Sequence, residues 1–408
     1  MERLSPLPAR LRRLTSRSLR ALLVCVFAVP ALASCAVHPG QVQIAFLRDG
    51  ALVAVNPDGS NARTLASGSI VSFAWSPDHT QLVYRTAAGS DVADLLPTGT
   101  IGAPDAAGTL EITSINGVHA TPITPDATGV IWSDAWWNAN GNRLLYREAL
   151  AGTDPDAGAQ IYIVSQSDQP AGIARQTVQS DASLPALAAD GSRVAGIDGA
   201  GTLRLAVPGQ DGQTLATGAL LTLPSTGRPA RVLWQPHHAA LLYATAAPGG
   251  GTALVLRATD GGARTLLTVP ALLDVAFSPD GSRLLVRTPG AFQLWPVASP
   301  GSAPAFSVAE NDPAALAWWS PDGRWLLVQD TAGWRLVNAA SGAAQTLLAY
   351  SGGGTATAIP TLARWHPAAG SPWSADSSQF VFVATSGTTW LSKPLAFSAH
   401  SGIGLYVA

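Results

Sequence analysis

Aspartates that recur at one place in a turn are the first residues of this chain with the means to do chemistry. Ser76-Pro77-Asp78-His79, Ser278-Pro279-Asp280-Gly281 and Ser320-Pro321-Asp322-Gly323 are clear copies of one tetrapeptide. Carboxylates repeated around a structure can ligate calcium or share proton-transfer work. Four weaker copies occupy the same place: Asn138-Ala139-Asn140-Gly141, Ala188-Ala189-Asp190-Gly191, Gln235-Pro236-His237-His238 and Ser374-Ala375-Asp376-Ser377. The third position therefore reads Asp78, Asn140, Asp190, His237, Asp280, Asp322 and Asp376. A reaction that depends on the carboxylate does not accept asparagine and histidine in its place. Aspartate in such a turn also bonds nearby backbone. The seven copies together favour that structural role.

Other chemistry is sparse. His237-His238 is the one local pair of imidazoles, and a metal would need further ligands at about 2.0–2.2 Å. The neighbouring sequence offers none, so a solvated turn is the simpler reading. There is no Gly-x-Ser-x-Gly elbow, no His-Glu-x-x-His and no Gly-x-x-x-x-Gly-Lys loop. No catalytic residue, metal site or cofactor is expected from the sequence.

The thirteen tryptophans raise the question of sugar stacking. Most of the column before the turn is aromatic: Trp75, Trp137, Leu187, Trp234, Phe277, Trp319 and Trp373. Packing between repeated units accounts for a column of this kind. Trp132 and Trp365 fall outside it and flank longer connections. With His366 they are the candidate binding residues.

These side chains must be held by strands. Counted at the third turn position, the copies stand at 78, 140, 190, 237, 280, 322 and 376. That spacing brackets the period of roughly 40–50 residues of four-stranded propeller blades. Each turn leads into an apolar run such as Leu82-Val83-Tyr84 or Leu284-Leu285-Val286. These runs suit strands covered on both faces. The expected fold is all-β: a β-propeller of four-stranded antiparallel blades, seven favoured and eight the alternative. The chain opens on a half unit, Ile44-Ala45-Phe46 through Arg63-Thr64-Leu65, that lacks the first strand of a blade. A C-terminal strand at Gly404-Leu405-Tyr406-Val407 is expected to complete it, closing the ring and removing two open edges.

The pattern Trp-Ser-Pro-Asp-Gly-x-x-Leu-hydrophobic-Tyr, followed by a strand, a glycine turn and Arg-x-Leu, resembles the TolB-type, WD-like propeller repeat of bacterial envelope proteins. The resemblance covers about residues 41–408. A similar propeller occurs in LpqB-type lipoproteins. It implies the fold and says little about activity. The period is broken at 87–130 and 349–372, and long insertions at propeller rims often carry binding.

The N-terminus carries an address. Arg10, Arg12, Arg13, Arg17 and Arg20 precede an apolar stretch from Ala21 to Leu32, which ends in Leu32-Ala33-Ser34-Cys35. The stretch is too short and too early for a membrane span. It resembles a bacterial lipobox whose cysteine, Cys35, is acylated. The expected organisation is a signal peptide over 1–34, a lipidated N-terminus and short tether over 35–40, and one propeller over 41–408. Cys25 would leave with the signal peptide, so the mature domain would hold no free thiol. Removing residues 1–34 takes away six arginines and one glutamate. That leaves 18 basic and 25 acidic side chains, a net charge of −7. An acidic surface of this kind argues against nucleic acid.

Two functions follow as expectations. The first is a monomeric, membrane-anchored, non-catalytic scaffold in the cell envelope that binds another envelope protein or a peptide. The alternative is a lactonase- or glycosidase-like enzyme, or a small-ligand receptor, with its site in the channel mouth.

Overall fold

The computed structural model describes residues 44–407 with interruptions, the longest being 87–108, 151–159, 167–175 and 350–370. The described residues belong to one compact unit, Val42–Ala408. Cys35, Trp365 and His366 lie outside them, as do most of the two insertions.

Among the described residues the strands form eight antiparallel sheets, numbered in chain order. Sheet 1 holds Ile44–Arg48, Ala51–Val55 and Arg63–Ser67. Sheet 2 holds Ile70–Trp75, Gln81–Thr86, Leu110–Ser114 and Ala120–Pro122. Sheet 3 is built on Arg143–Leu150. That strand pairs with Gln160–Gln166 on one side and with the short strands Val130–Trp132 and Trp136–Trp137 on the other. Sheet 4 begins with Ala186–Leu187 and Val194–Ile197, and sheet 5 with Leu233–Trp234 and Ala240–Ala246. Sheet 6 runs Asp274–Phe277, Arg283–Thr288, Gly290–Pro296 and Phe306–Glu310. Sheet 7 runs Leu316–Trp319, Trp325–Asp330, Gly333–Asn338 and Ala344–Ala349, with Thr389–Trp390 added at the far edge. Sheet 8 holds Val381–Thr385, Ile403–Val407 and Leu395–His400, and the bridge Trp373–Phe380 stands at its start.

Consecutive sheets pack face to face. Leu52 and Leu82 meet between sheets 1 and 2, and Val83 and Leu144 between sheets 2 and 3. Leu145 and Val194 join sheets 3 and 4, and Ile197 and Leu241 join sheets 4 and 5. Leu242 and Leu284 join sheets 5 and 6, and Leu285 and Leu326 join sheets 6 and 7. The second strand of each unit thus shows alternate residues to its two neighbours, which is why it reads as an unbroken apolar run. Burying each such leucine contributes about 1.5–3 kcal/mol. Four-stranded sheets stacked in series make a β-propeller.

The opening half unit is a sheet of its own. The C-terminal strand does not complete it: Ile403–Val407 lies in sheet 8, between Val381–Thr385 and Leu395–His400. Two residues separate Ile403 from His400, so the local hairpin costs far less loop entropy than closure onto the start of the chain.

Candidate functional site

The repeated turn shows what its polar residues do. Ser278 is fully buried. Its hydroxyl donates to Asp280 Oδ1 and accepts the Arg283 N–H at 3.0 Å. Asp280 also accepts the Ser282 N–H at 3.1 Å and the Ser282 hydroxyl at 2.7 Å. The same set recurs at Ser76, Asp78 and Thr80, and again at Ser374, Asp376 and Ser378. At Asp322 the third partner is Arg324, bound through both its N–H and its guanidinium. Asp190 has no serine before it and accepts the Ser192 N–H and hydroxyl. In sheet 3, Asn138 takes the serine's part: its Oδ1 accepts the Arg143 N–H, and its Nδ2 reaches the Ala189 carbonyl of the next sheet. Asn140 is exposed and donates its N–H to that same carbonyl.

His237 differs from its column. It adopts φ of 61°, whereas in the other six copies the left-handed residue is the fourth, such as His79 at 57° or Gly281 at 69°. Proline second and a positive φ third are the marks of a type II turn. His237 is therefore a conformational substitute and not an equivalent of the aspartates. His238 Nδ1 lies 2.8 Å from the Pro236 carbonyl.

Successive turns touch. A Cβ on Gly281 would stand 2.7 Å from the Pro236 carbonyl oxygen, so the approach of sheet 5 to sheet 6 requires glycine there. The tryptophan column adds bonds between sheets. Trp137 Nε1 donates to the Ala74 carbonyl, Trp234 Nε1 to Ala186 and Trp373 Nε1 to Trp318. Each acceptor is the residue just before the column in the preceding sheet. Trp75 stacks on His79 at 5.7 Å, and Arg283 lies over the Trp319 ring at 5.3 Å. Phe277 packs in the core between sheets 5 and 6. Trp132 pairs with Glu148 at the edge of sheet 3.

Hydrogen bonds from Ser278 and Ser282 hold the Asp280 carboxyl down to about 2, against the opposing effect of burial. A depressed carboxylate stabilises the fold above its unfolded pKa, about 3.9, and that contribution fades as pH falls through the folded value. Ser278→Ala removes the donor and strands the Arg283 N–H, at an expected cost of about 1–3 kcal/mol. In urea titrations from pH 7 to pH 2, the variant should show a flatter acid limb than the parent. An unchanged midpoint and limb would contradict this role.

One buried polar cluster among the described residues is one that sequence reasoning missed. Glu310 ends the last strand of sheet 6, and Asp330 ends the second strand of sheet 7. Both are buried, at 7 % exposure each. Arg335 Nη2 bonds Glu310 Oε2 and lies 2.8 Å from Asp330 Oδ2. Glu310 Oε1 accepts the Asp312 N–H, and Asp330 Oδ1 accepts the Gly333 N–H. Arg287 Nη2 reaches the Asp312 carbonyl from sheet 6. Burial first, and then the neighbouring Asp330, push the Glu310 carboxyl above its ordinary value, although the Asp312 N–H and Arg335 pull the other way. The cluster sits at the end of the sheets opposite the proline turns. It clamps two sheets together and also places one cation between two carboxyls. Its only trace in the sequence is an acidic residue at the end of each of two apolar strands. Among the described residues no group of three or more His, Cys, Asp or Glu side chains is arranged to hold a metal ion.

No family model matches this chain, and no curated protein matches it. Solved structures with a related backbone course include one from a study of two prolyl endopeptidases. It is 12% identical with a TM-score of 0.48, over 81% of this chain and 55% of that one. An oligogalacturonate lyase in complex with manganese is 11% identical, with a TM-score of 0.48 over 90% of this chain and 95% of the other. A eukaryotic initiation factor is 16% identical, with a TM-score of 0.42 over 66% and 63%. The chain thus spans little more than half the length of the first of these.

Proposed function

We propose that this chain is a lipid-anchored, extracytoplasmic β-propeller of the TolB-like kind that serves as a binding scaffold for another envelope protein or a peptide. The observation that carries the reading is the run of arginines, apolar stretch and Leu32-Ala33-Ser34-Cys35 directly ahead of the propeller. The use of the recurrent carboxylates supports it, because the turns' own hydroxyls and backbone N–H groups engage them. A thioether-linked diacylglycerol on Cys35 would hold the protein at the membrane without a spanning helix. Ala36 follows the cysteine, which in a diderm host points to the outer membrane; in a monoderm host the anchor lies in the outer leaflet of the plasma membrane.

Cys35→Ala should move the protein from the membrane pellet to the soluble fraction and abolish incorporation of labelled fatty acid. Equal membrane retention would contradict the anchor. Affinity capture from detergent-solubilised membranes should return one reproducible partner, and its repeated absence in several detergents would contradict the scaffold.

The buried cluster of Glu310, Asp330 and Arg335 favours a second reading, an enzyme or small-ligand receptor. The two readings part at Glu310→Gln. A scaffold keeps partner capture in this variant, whereas a site that uses the carboxyl loses ligand turnover or binding while remaining folded.

A further inference from the structure

The seam between sheets 6 and 7 sets two carboxyls against each other. Asp330 stands four residues after Leu326, which faces Trp319 of the tryptophan column. The same place holds Thr86, Glu148, Asp198, Thr245 and Thr288 in sheets 2 to 6. The last strands of sheets 1 to 5 end in Ser67, Pro122, Ser180, Ala216 and Val269, none of them acidic. Sheet 6 ends its last strand in Glu310.

Asp198 shows what this place does without a second acid. It is buried and accepts the Ala200 and Thr202 N–H groups and the Arg204 Nε–H at 2.7 Å. Burial raises its carboxyl, but Arg204, Thr202 and Ala200 hold it below the ordinary value. Asp330 is served differently. Its Oδ1 accepts the Gly333 N–H at 2.9 Å, and Glu310 Oε1 accepts the Asp312 N–H at 2.7 Å. The other two oxygens, Asp330 Oδ2 and Glu310 Oε2, both turn to Arg335 Nη2. Arginine often meets a carboxylate with two parallel N–H groups, whereas here Nη1 points to the Ala309 carbonyl at 3.5 Å. Two oxygens on one nitrogen are close neighbours, and carboxyls so placed resist ionising together.

The surrounding elements add little charge. Gly290–Pro296, Leu316–Trp319 and Ala344–Ala349 carry no titratable side chain. Arg287 reaches the Asp312 carbonyl and lies over the Phe292 ring at 5.6 Å. Arg283 lies over Trp319 at the far end of the strand. Asp312 is the other acid beside the pair. With Arg335 the only cation bonded to both carboxyls, one proton makes the trio neutral.

We propose that Glu310 and Asp330 hold one proton between them and that this proton latches sheet 6 to sheet 7, so that the seam is tight in acid and loosens as pH rises. Its loss to water leaves two carboxylates on one cation, a net buried negative charge. Burial first, and Asp330 after it, already hold the Glu310 carboxyl above its ordinary value. A carboxyl so raised favours the fold below its unfolded value of about 4.3, and that advantage fades as pH rises through the folded one. The proton belongs to the pair and not to either residue. Sheets that stack only on their neighbours open locally, so the loosening stays at this seam. The latch stands on the seam alone. Its use as a sensor of the surroundings rests on the extracytoplasmic reading.

The test follows the full-length protein from about pH 4 to about pH 8. Infrared spectra should show the carbonyl band of a protonated carboxyl that outlasts the exposed acids as pH rises. Glu310→Gln and Asp330→Asn should each lack that late band. Amide protection, taken relative to an unstructured chain at the same pH, should fall about tenfold in Phe306–Glu310 and Trp325–Asp330 of the parent. It should stay level in Ala240–Ala246 of sheet 5. Glutamine or asparagine imitates the protonated partner, so either variant should keep the seam protected at every pH. A purely structural contact would lose protection in the variants without changing its pH dependence. Parent protection that is level with pH, the same slope in both variants, or a late band that survives both substitutions would overturn the proposal. Membrane release of Cys35→Ala bears only on the anchor, and the late band only on the latch.

Discussion

Arg335→Met should destabilise the protein by about 3–5 kcal/mol at pH 7, because it leaves Glu310 and Asp330 buried together without their cation. Methionine keeps most of the aliphatic packing, so the loss reports the charge. The penalty should depend on pH. The Glu310 carboxyl already sits above its ordinary value, and a raised carboxyl favours the fold most below its unfolded pKa of about 4.3. That advantage is lost as pH rises through the folded value. Removing Arg335 raises the folded value further, so the variant should lie closest to the parent near pH 4 and fall behind it towards pH 7. Urea midpoints across that range measure the gap. Adding Glu310→Gln to Arg335→Met should recover part of the loss at pH 7, since one buried charge is gone. A gap that stays constant with pH, or a double variant no better than the single, would show that the cluster is not an ion clamp.

The same cluster marks where the sequence stops being legible. The turns could be read because their signals are local: proline sets φ, serine and aspartate bond within five residues, and a bulky residue stands seven before a leucine or its equivalent. The strands could be read because stacking on both faces leaves runs such as Leu284-Leu285-Val286 wholly apolar. Glu310 and Asp330 lie twenty residues apart, on strands of different sheets. Nothing short-range links them; face-to-face stacking of sheets 6 and 7 brings them together. The place of Ile403–Val407 was hidden for a related reason. An apolar strand near the C-terminus fits either a closing position or a local hairpin, and the short connection decides. His237 looked like a degenerate aspartate because alignment compares residue types and not φ.

Trp334→Ala should cost about 3–5 kcal/mol, the range for removing a large aromatic side chain from a packed core. Trp334 is 1% exposed in the third strand of sheet 7. It stacks on Trp318 of the same sheet at 5.9 Å and on Phe380 at the start of sheet 8 at 6.5 Å. Phe380 in turn meets Trp373 edge to face at 5.3 Å. This chain of four rings joins sheets 7 and 8, where the other interfaces described rely mainly on leucine, valine and alanine. Units that stack only on their neighbours lose stability locally before they lose it globally. The variant should therefore show a lower urea midpoint and faster amide exchange in residues 373–385, with exchange in sheet 5 changed much less. Trp334→Phe keeps a ring in the stack and should lose less than half as much. A uniform rise in exchange across sheets 5 to 8 would mean that the propeller opens as one unit and that the aromatic chain has no local role. A loss below about 1 kcal/mol would mean that the cavity collapses and that sheet 8 is held by other contacts.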